Sequence, residues 1–291
     1  MANLKDIKTR IGSVKKTKQI TSAMKLVAAA KLRGATERAT AAQPYQVKLK
    51  GVLANVAGKA GEGVDLPLLA QHDEVKRVLL VILTSDRGLC GGFNNNLMRR
   101  VLGWIEERKG AGIEVSVRVF GRKGRDFCRT RGIAVDDAVI EYGKTAKMEL
   151  VRPLSDHLVA GFTDGTYDEV WLGYNTFVNA ASQKPGFSKV LPLAVETSDE
   201  DSGDAGMTDY LFEPGPQELL AQLLPLYLRT LLLQAFLETE AGEFGARMLA
   251  MDSATRNASE LIDRLTLEYN RARQAAITTE ITEIVSGAEA L

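Results

Sequence analysis

From Phe244 to Ala276 the chain carries a stripe at alternating steps of four and three: Phe244, Met248, Met251, Thr255, Ala258, Ile262, Leu265, Tyr269, Ala272 and Ala276, nine of them apolar. A 3.5-residue repeat held that far follows a left-handed supercoil and asks for a partner helix along its length. The spacing therefore predicts half of a coiled coil, with Phe244, Met248, Met251, Ile262, Leu265 and Tyr269 as its main seam. The expected partner is the N-terminus, where Leu4, Ile7, Ile11 and Val14 open a helix at the same spacing. Beyond Val14 this partner seam is read as changing phase to Ile20, Met24 and Val27.

At 291 residues with no net charge, the chain is long enough for roughly two domains and is not a general polyanion binder. Charge is nevertheless uneven. Nine basic residues lie between Lys5 and Arg33 against the single acid Asp6. The segment lacks the interleaved aromatics that stack bases or anchor a helix in lipid headgroups, so an acidic protein partner fits it better than nucleic acid or membrane. Two cysteines, Cys90 and Cys128, form no framework or zinc-ligand spacing. No apolar run reaches the roughly 18 residues of a membrane span, and no leader pattern opens the sequence, so the expected setting is cytoplasmic.

Three segments are expected. Residues 1–58 read as one long helix, followed by a glycine-rich connector from Gly58 to Gly63. Residues 75–195 alternate buried strands (Val78–Leu83, Glu114–Phe120, Ile133–Ile140, Glu169–Asn175) with helices (Asn94–Lys109, Arg122–Arg131, Lys147–Phe162), the pattern of a Rossmann-like α/β domain with a mostly parallel sheet. After an acidic loop from Glu196 to Asp204, residues 214–291 read as the second coiled-coil helix. Pro225 is expected to break or kink its opening turns, and Gly242 and Gly245 to soften it by about 1 kcal/mol each.

No catalytic constellation emerges. Ser85-Asp86-Arg87-Gly88-Leu89-Cys90-Gly91-Gly92 lies between a strand and a helix, where a phosphate loop would sit, but it has neither the G-x-G-x-x-G spacing nor a Gly-Lys-Ser/Thr ending. It reads as a tight structural turn. His72 and His157 stand in no metal-ligand spacing, and Cys90 has no local base. No cofactor is called for. Three functions stay open on the residues alone: a mechanical component, a stand-alone α/β nucleotide-binding enzyme with helical appendages, and a helical adaptor for an acidic surface.

Three ordered blocks narrow these. Lys18-Gln19-Ile20-Thr21 with Ala23-Met24-Lys25-Leu26-Val27, then Thr84 to Gly92, then Ala246-Arg247-Met248 and Tyr269 to Thr278 with Glu283-Ile284-Val285, together resemble the gamma subunit of the F-type ATP synthase over essentially the whole chain. The resemblance implies a central rotor shaft: terminal helices in an antiparallel coiled coil inside a hexamer of alpha and beta subunits, and an α/β domain at the foot. It implies coupling of proton flow to ATP synthesis or hydrolysis at the beta subunits, with no catalysis by the chain alone. The implied partners are alpha, beta and epsilon subunits and a membrane ring of c subunits, at the cytoplasmic face of a bacterial plasma membrane, where the chain is peripheral.

Residue by residue, the resemblance places Met24, Lys25, Arg247, Arg273, Gln274 and Thr278 against beta. It places Ile277, Ile281, Ile284 and Val285 in an apolar bearing, and Tyr210 and Glu213 at the foot against the ring and epsilon. Photosynthetic members add a regulatory cysteine pair that this chain lacks, so the resemblance carries no thiol control here.

Overall fold

A computed structural model of the chain describes residues 4–60, 66–72, 74–194 and 215–289. In chain order its elements are α1 (Leu4–Ala60), β1 (Arg77–Leu83), α2 (Phe93–Gly110), β2 (Glu114–Phe120), α3 (Arg122–Thr130), β3 (Asp137–Val139), α4 (Lys147–Thr163), β4 (Glu169–Asn179), β5 (Ser182–Leu191) and α5 (Pro216–Glu289). They form two compact units, one of Met1–Ala30 with Arg247–Leu291 and one of Lys31–Ala246. Tyr210, Glu213 and the acidic loop expected at 196–204 lie outside the described residues.

The larger unit is built on a five-stranded sheet of order β3-β2-β1-β4-β5. The first four strands are mutually parallel and β5 runs antiparallel to β4. β1 is buried from Val78 to Leu83, as a central strand covered on both faces must be. One face packs Leu79, Val81 and Leu83 with Leu49, Leu53 and Val56 of α1, Leu154 and Leu158 of α4, and Leu220 to Phe236 of α5. The opposite face packs Val78, Leu80 and Ile82 under Leu97, Met98, Val101 and Trp104 of α2. The mixed α and α/β class expected from the sequence is the one observed.

Several local expectations change. β5 was not anticipated: Lys184, Pro185 and Gly186 dilute its strand pattern, and only at a sheet edge, paired on one side, is such a strand tolerated. The strand expected over Ile133–Ile140 shrinks to three residues. Pro225 does not break α5, nor Pro44 α1. Each proline costs about 3 kcal/mol in a helix interior, but the residues four positions earlier, Ala221 and Thr40, are exposed, so water is at hand for the released carbonyls. Burial of Leu220, Leu224 and Leu228 beside Pro225 offsets the remainder.

The early part of α5 is apolar enough to qualify as a membrane span by length and composition, contrary to the sequence reading, with an 18-residue window of mean hydropathy 1.4. Half of that window is buried within the protein. Leu220, Leu228 and Leu232 have no exposed surface, which is the signature of a core helix.

Glycine is required most sharply at Gly121, where φ is +104° and an added Cβ would lie 2.4 Å from the Thr84 carbonyl oxygen. Gly112 also has positive φ (+79°) but meets nothing within 4 Å. Gly112→Ala should therefore cost only the backbone strain of about 1–2 kcal/mol, and Gly121→Ala distinctly more, because the backbone at Thr84, just past the end of β1, must shift as well. Urea midpoints of the two variants check the order.

Candidate functional site

Two regions carry functional content, one in each unit, and each is described on its own terms.

In the smaller unit, the C-terminal stripe is the seam. Met251, Ala258 and Leu265, spaced by seven, are buried, while Met248, Thr255, Ile262, Tyr269, Ala272 and Ala276 are half-buried. The start of α1 lies alongside in the opposite direction. Lys25 Nζ is 2.6 Å from Asp252 Oδ1, and Thr255 Oγ1 donates to Thr21 Oγ1 at 2.8 Å, so positions fall along one helix as they rise along the other. At that register the first turn of α1 meets α5 near Ala272.

The expected change of phase in α1 does not occur. Ile20 and Val27 are 60% and 57% exposed, and Met24 is half-buried. The heptad of Leu4, Ile7, Ile11 and Val14 instead continues through Thr21, Lys25 and Ala28 to Leu32, Ala35 and Ala39. Hydropathy missed it because the seam changes to small and polar residues. Thr21 is satisfied across the seam by Thr255, and Lys25 by Asp252. A reading that kept the 4-3 spacing and ignored residue type would have found the path.

Asp252 has its carboxyl held below the usual aspartate range, chiefly by the hydrogen bond from Lys25, against an upward push from burial that exceeds the further lowering by the charge of Lys25 or of Arg256. A depressed carboxylate contributes stability above its unfolded pKa and loses it as pH falls through the lowered folded value, so this pairing weakens only in acid, below about pH 4.

Other residues singled out by the sequence are placed as follows. Phe244, in the larger unit, is half-buried under Lys31, whose Nζ is 5.5 Å from the ring centre. Arg247 is buried, at 9% exposure. Arg273, Gln274 and Thr278 are exposed on α5. Past Ala276 burial stops: every residue from Ile277 to Ser286 is exposed, including Ile277, Ile281, Ile284 and Val285.

The second region lies beyond the C-terminal ends of β1, β2 and β4: the strand order reverses between β1 and β4, where doubly wound sheets usually hold ligands, and α3 begins on the other side of β1, after β2. At the start of α3 the chain's own groups take up the amides. Asp86 Oδ1 accepts from the amide of Arg122 at 3.0 Å and from that of Glu141 at 2.8 Å, putting a carboxylate at the start of α3 where a phosphate would otherwise sit. The next amides of α3 are also engaged, Lys123 N by the Ser85 carbonyl and Gly124 N by Thr84 Oγ1. At the start of α2, the Asn94 side chain bonds Ser85 N, Ser85 Oγ and Cys90 Sγ at 3.0, 2.7 and 3.2 Å, and Asn175 ties β4 to the Phe93 carbonyl. The turn places Leu89 at φ +64° and Gly91 at +57°.

Both cysteines are free and buried, and burial pushes the Cys128 thiol up to about 11. Among the described residues no cluster of three metal-ligating side chains occurs.

Leu265→Asp would place a charge in the buried part of the seam. A loss of several kcal/mol is expected, against less than about 1 kcal/mol for the exposed control Leu267→Asp, read as a shift in urea midpoint of the full chain.

Comparison with known proteins gives a consistent result. A family model described as ATP synthase matches residues 3–291. The chain is 46% identical over 291 residues to the ATP synthase gamma chain of Pelotomaculum thermopropionicum and 47% identical over 291 residues to that of Desulforamulus reducens, in both cases over the full length of each protein. Among solved structures, a chain of the Euglena gracilis mitochondrial ATP synthase OSCP/F1/c-ring assembly shares the fold with a TM-score of 0.69 at 20% identity, covering 99% of this chain and 94% of that one. A chain of the Euglena rotor gives a TM-score of 0.64 at 19% identity over 94% and 98% of the two chains.

Proposed function

The chain belongs to the ATP synthase gamma-chain family and is a central rotor subunit of that machine; from this premise we propose that it works purely mechanically, with no nucleotide site of its own. The observation that carries the mechanical reading is the seam that ends at Ala276 while α5 runs on as an exposed helix bearing Ile277, Ile281, Ile284 and Val285. Those side chains gain burial only inside another protein. An apolar sleeve in the alpha–beta hexamer suits them, because such a contact is non-directional and lets a helix turn without breaking specific bonds.

Lack of catalysis by the chain alone is supported by the occupied start of α3. A phosphate seated at the start of α3 would have to displace the Asp86 carboxylate from the amides there and meet its negative charge. Contact with beta is assigned to Met24, Lys25, Arg247, Arg273, Gln274 and Thr278. The exposed bases Lys8, Arg10, Lys15, Lys16 and Lys18 on α1 suit an acidic lever on that partner. Lys25 is already held by Asp252, so it would share its charge between the seam and the partner. Tyr210 and Glu213 are assigned to the foot, against epsilon and the ring of c subunits. The setting is peripheral, at the cytoplasmic face of a bacterial plasma membrane.

Coupling then follows from asymmetry. A rotor that shows each beta subunit a different face favours a different conformation in each, and rotation exchanges which site is favoured; the linkage is a difference in contact free energy between states.

Co-purification, nucleotide binding and truncation test this. Tagged chain expressed with its relatives' subunits should co-purify with a nucleotide-hydrolysing hexamer at one copy per hexamer, and the isolated chain should show no saturable micromolar nucleotide binding; such binding to residues 75–195 would favour the enzyme reading. Truncation after Ala276 should change the stability of the isolated chain by no more than about 0.5 kcal/mol, since the removed residues are exposed. It should nevertheless lower ATP synthesis by the assembled complex several-fold.

A further inference from the structure

A mechanical subunit needs a place where its α/β unit grips the helix that carries the load. Within the larger unit, one short stretch of α5 is held from opposite sides. Glu240 is 17% exposed at its side chain and lies 3.2 Å from Arg38 Nη2 of α1 and 3.8 Å from Lys147 Nζ of α4. The Lys147 side chain is itself only 9% exposed and sits over the Tyr142 ring.

Across the helix, Glu238 Oε2 accepts from the Phe177 amide of β4 at 3.3 Å. A Cβ on Gly242 would lie 3.0 Å from the Phe93 ring, and one on Gly245 would lie 2.9 Å from the Ala180 carbonyl oxygen at the tip of the β4–β5 hairpin. That tip is braced internally. Asn179 Oδ1 accepts from the amides of Ala181 and Ser182 at 2.9 Å, and Gln183 Nε2 donates to the carbonyls of Asn179 and Ala180.

Helical geometry makes these contacts a couple. At about 100° per residue, positions 238, 242 and 245 fall within about 60° of one another, while 240 points to the far side. Contacts on both sides of an axis resist rotation about it, which contacts on one side do far less well. The two glycines cost the helix about 1 kcal/mol each relative to alanine, yet they stand where the hairpin and the Phe93 ring come closest. They serve close approach, and the softening expected from them is offset by the packing they permit.

We propose that residues 238–245 of α5 form a torque-bearing collar, in which the β4–β5 hairpin seated on Gly242 and Gly245 and the Arg38–Glu240–Lys147 cluster turn with the helix as one body. The proposal rests on the rotor reading above and adds to it the place where the load passes. Glu240, Gly242 and Gly245 are positioning residues, acting through the helix and not on any substrate.

The test uses the assembled complex in sealed vesicles and compares ATP-driven proton pumping with ATP hydrolysis in the same preparation. Gly245→Val displaces the hairpin, and Glu240→Gln keeps the shape while removing the charge. In each, hydrolysis should stay within about twofold of the parent while pumping per ATP falls at least threefold. A variant that merely loses stability lowers both together and leaves the ratio alone.

A third variant locks the joint: Gly242→Cys with Gln183→Cys, positions at which a Cβ on 242 lies 3.2 Å from the Gln183 Cγ, within reach of a disulfide. Oxidised and reduced forms should pump within twofold of each other, because parts that move together lose nothing on being joined. An unchanged pumping ratio in Gly245→Val and Glu240→Gln complexes of normal composition overturns the collar. So does a disulfide that halts pumping, since hairpin and helix would then have to slide. Should Gly245→Val fail to assemble, Glu240→Gln and the cysteine pair decide alone. If the parent chain itself failed to co-purify with a hexamer, the rotor reading would fall, a result distinct from any of these.

Discussion

The fold rests on how α5 disposes of its apolar surface. In its first part, from Leu220 to Ala241, apolar groups surround the helix, and such a helix is stable in water only when other elements enclose it. The sheet, α1 and α4 supply that enclosure, with Phe236 at the centre against Phe120 and Tyr142. From Met248 onward the apolar surface narrows to a heptad stripe, which one partner helix is enough to cover. One continuous helix is thus a core element in one unit and half of a two-stranded rod in the other. The change is written in the width of its apolar face.

Much of this was legible from residues alone, because periodicity reports burial directly. The stripe from Phe244 to Ala276 and the apolar run of β1 are strong signals, and both elements form where they are expected. The failures share a physical cause: packing partners overrode local pattern. Thr21, Lys25 and Ala28 continue a seam that hydropathy assigns to Ile20 and Val27, because a hydroxyl pair and an ion pair across the seam make polar residues acceptable there. Pro225 stays in a helix because its neighbours are anchored in the core. β5 carries a proline and a glycine that a central strand would not tolerate, and its edge position excuses both.

The functional regions divide in the same way. Their sequence blocks were readable as a resemblance, whereas the reason the start of α3 is occupied was not. Nothing in the spacing of Asp86 predicts that its carboxylate reaches amides 36 and 55 residues away, since that depends on β1, β2 and β3 ending side by side. At the start of α3, a position where doubly wound sheets can bind a phosphate, this chain places the Asp86 carboxylate instead. The loops at its strand ends position side chains that tie elements together, Asp86 to α3 and Asn175 to the Phe93 carbonyl.

The exposed end of α5 has a consequence for the life of the chain before it is used. Four large aliphatic side chains, Ile277, Ile281, Ile284 and Val285, stand in water on about two and a half helical turns, an apolar tip that the described residues leave exposed. An unassembled copy offers this patch to other copies of itself, a liability to self-association that rises with concentration.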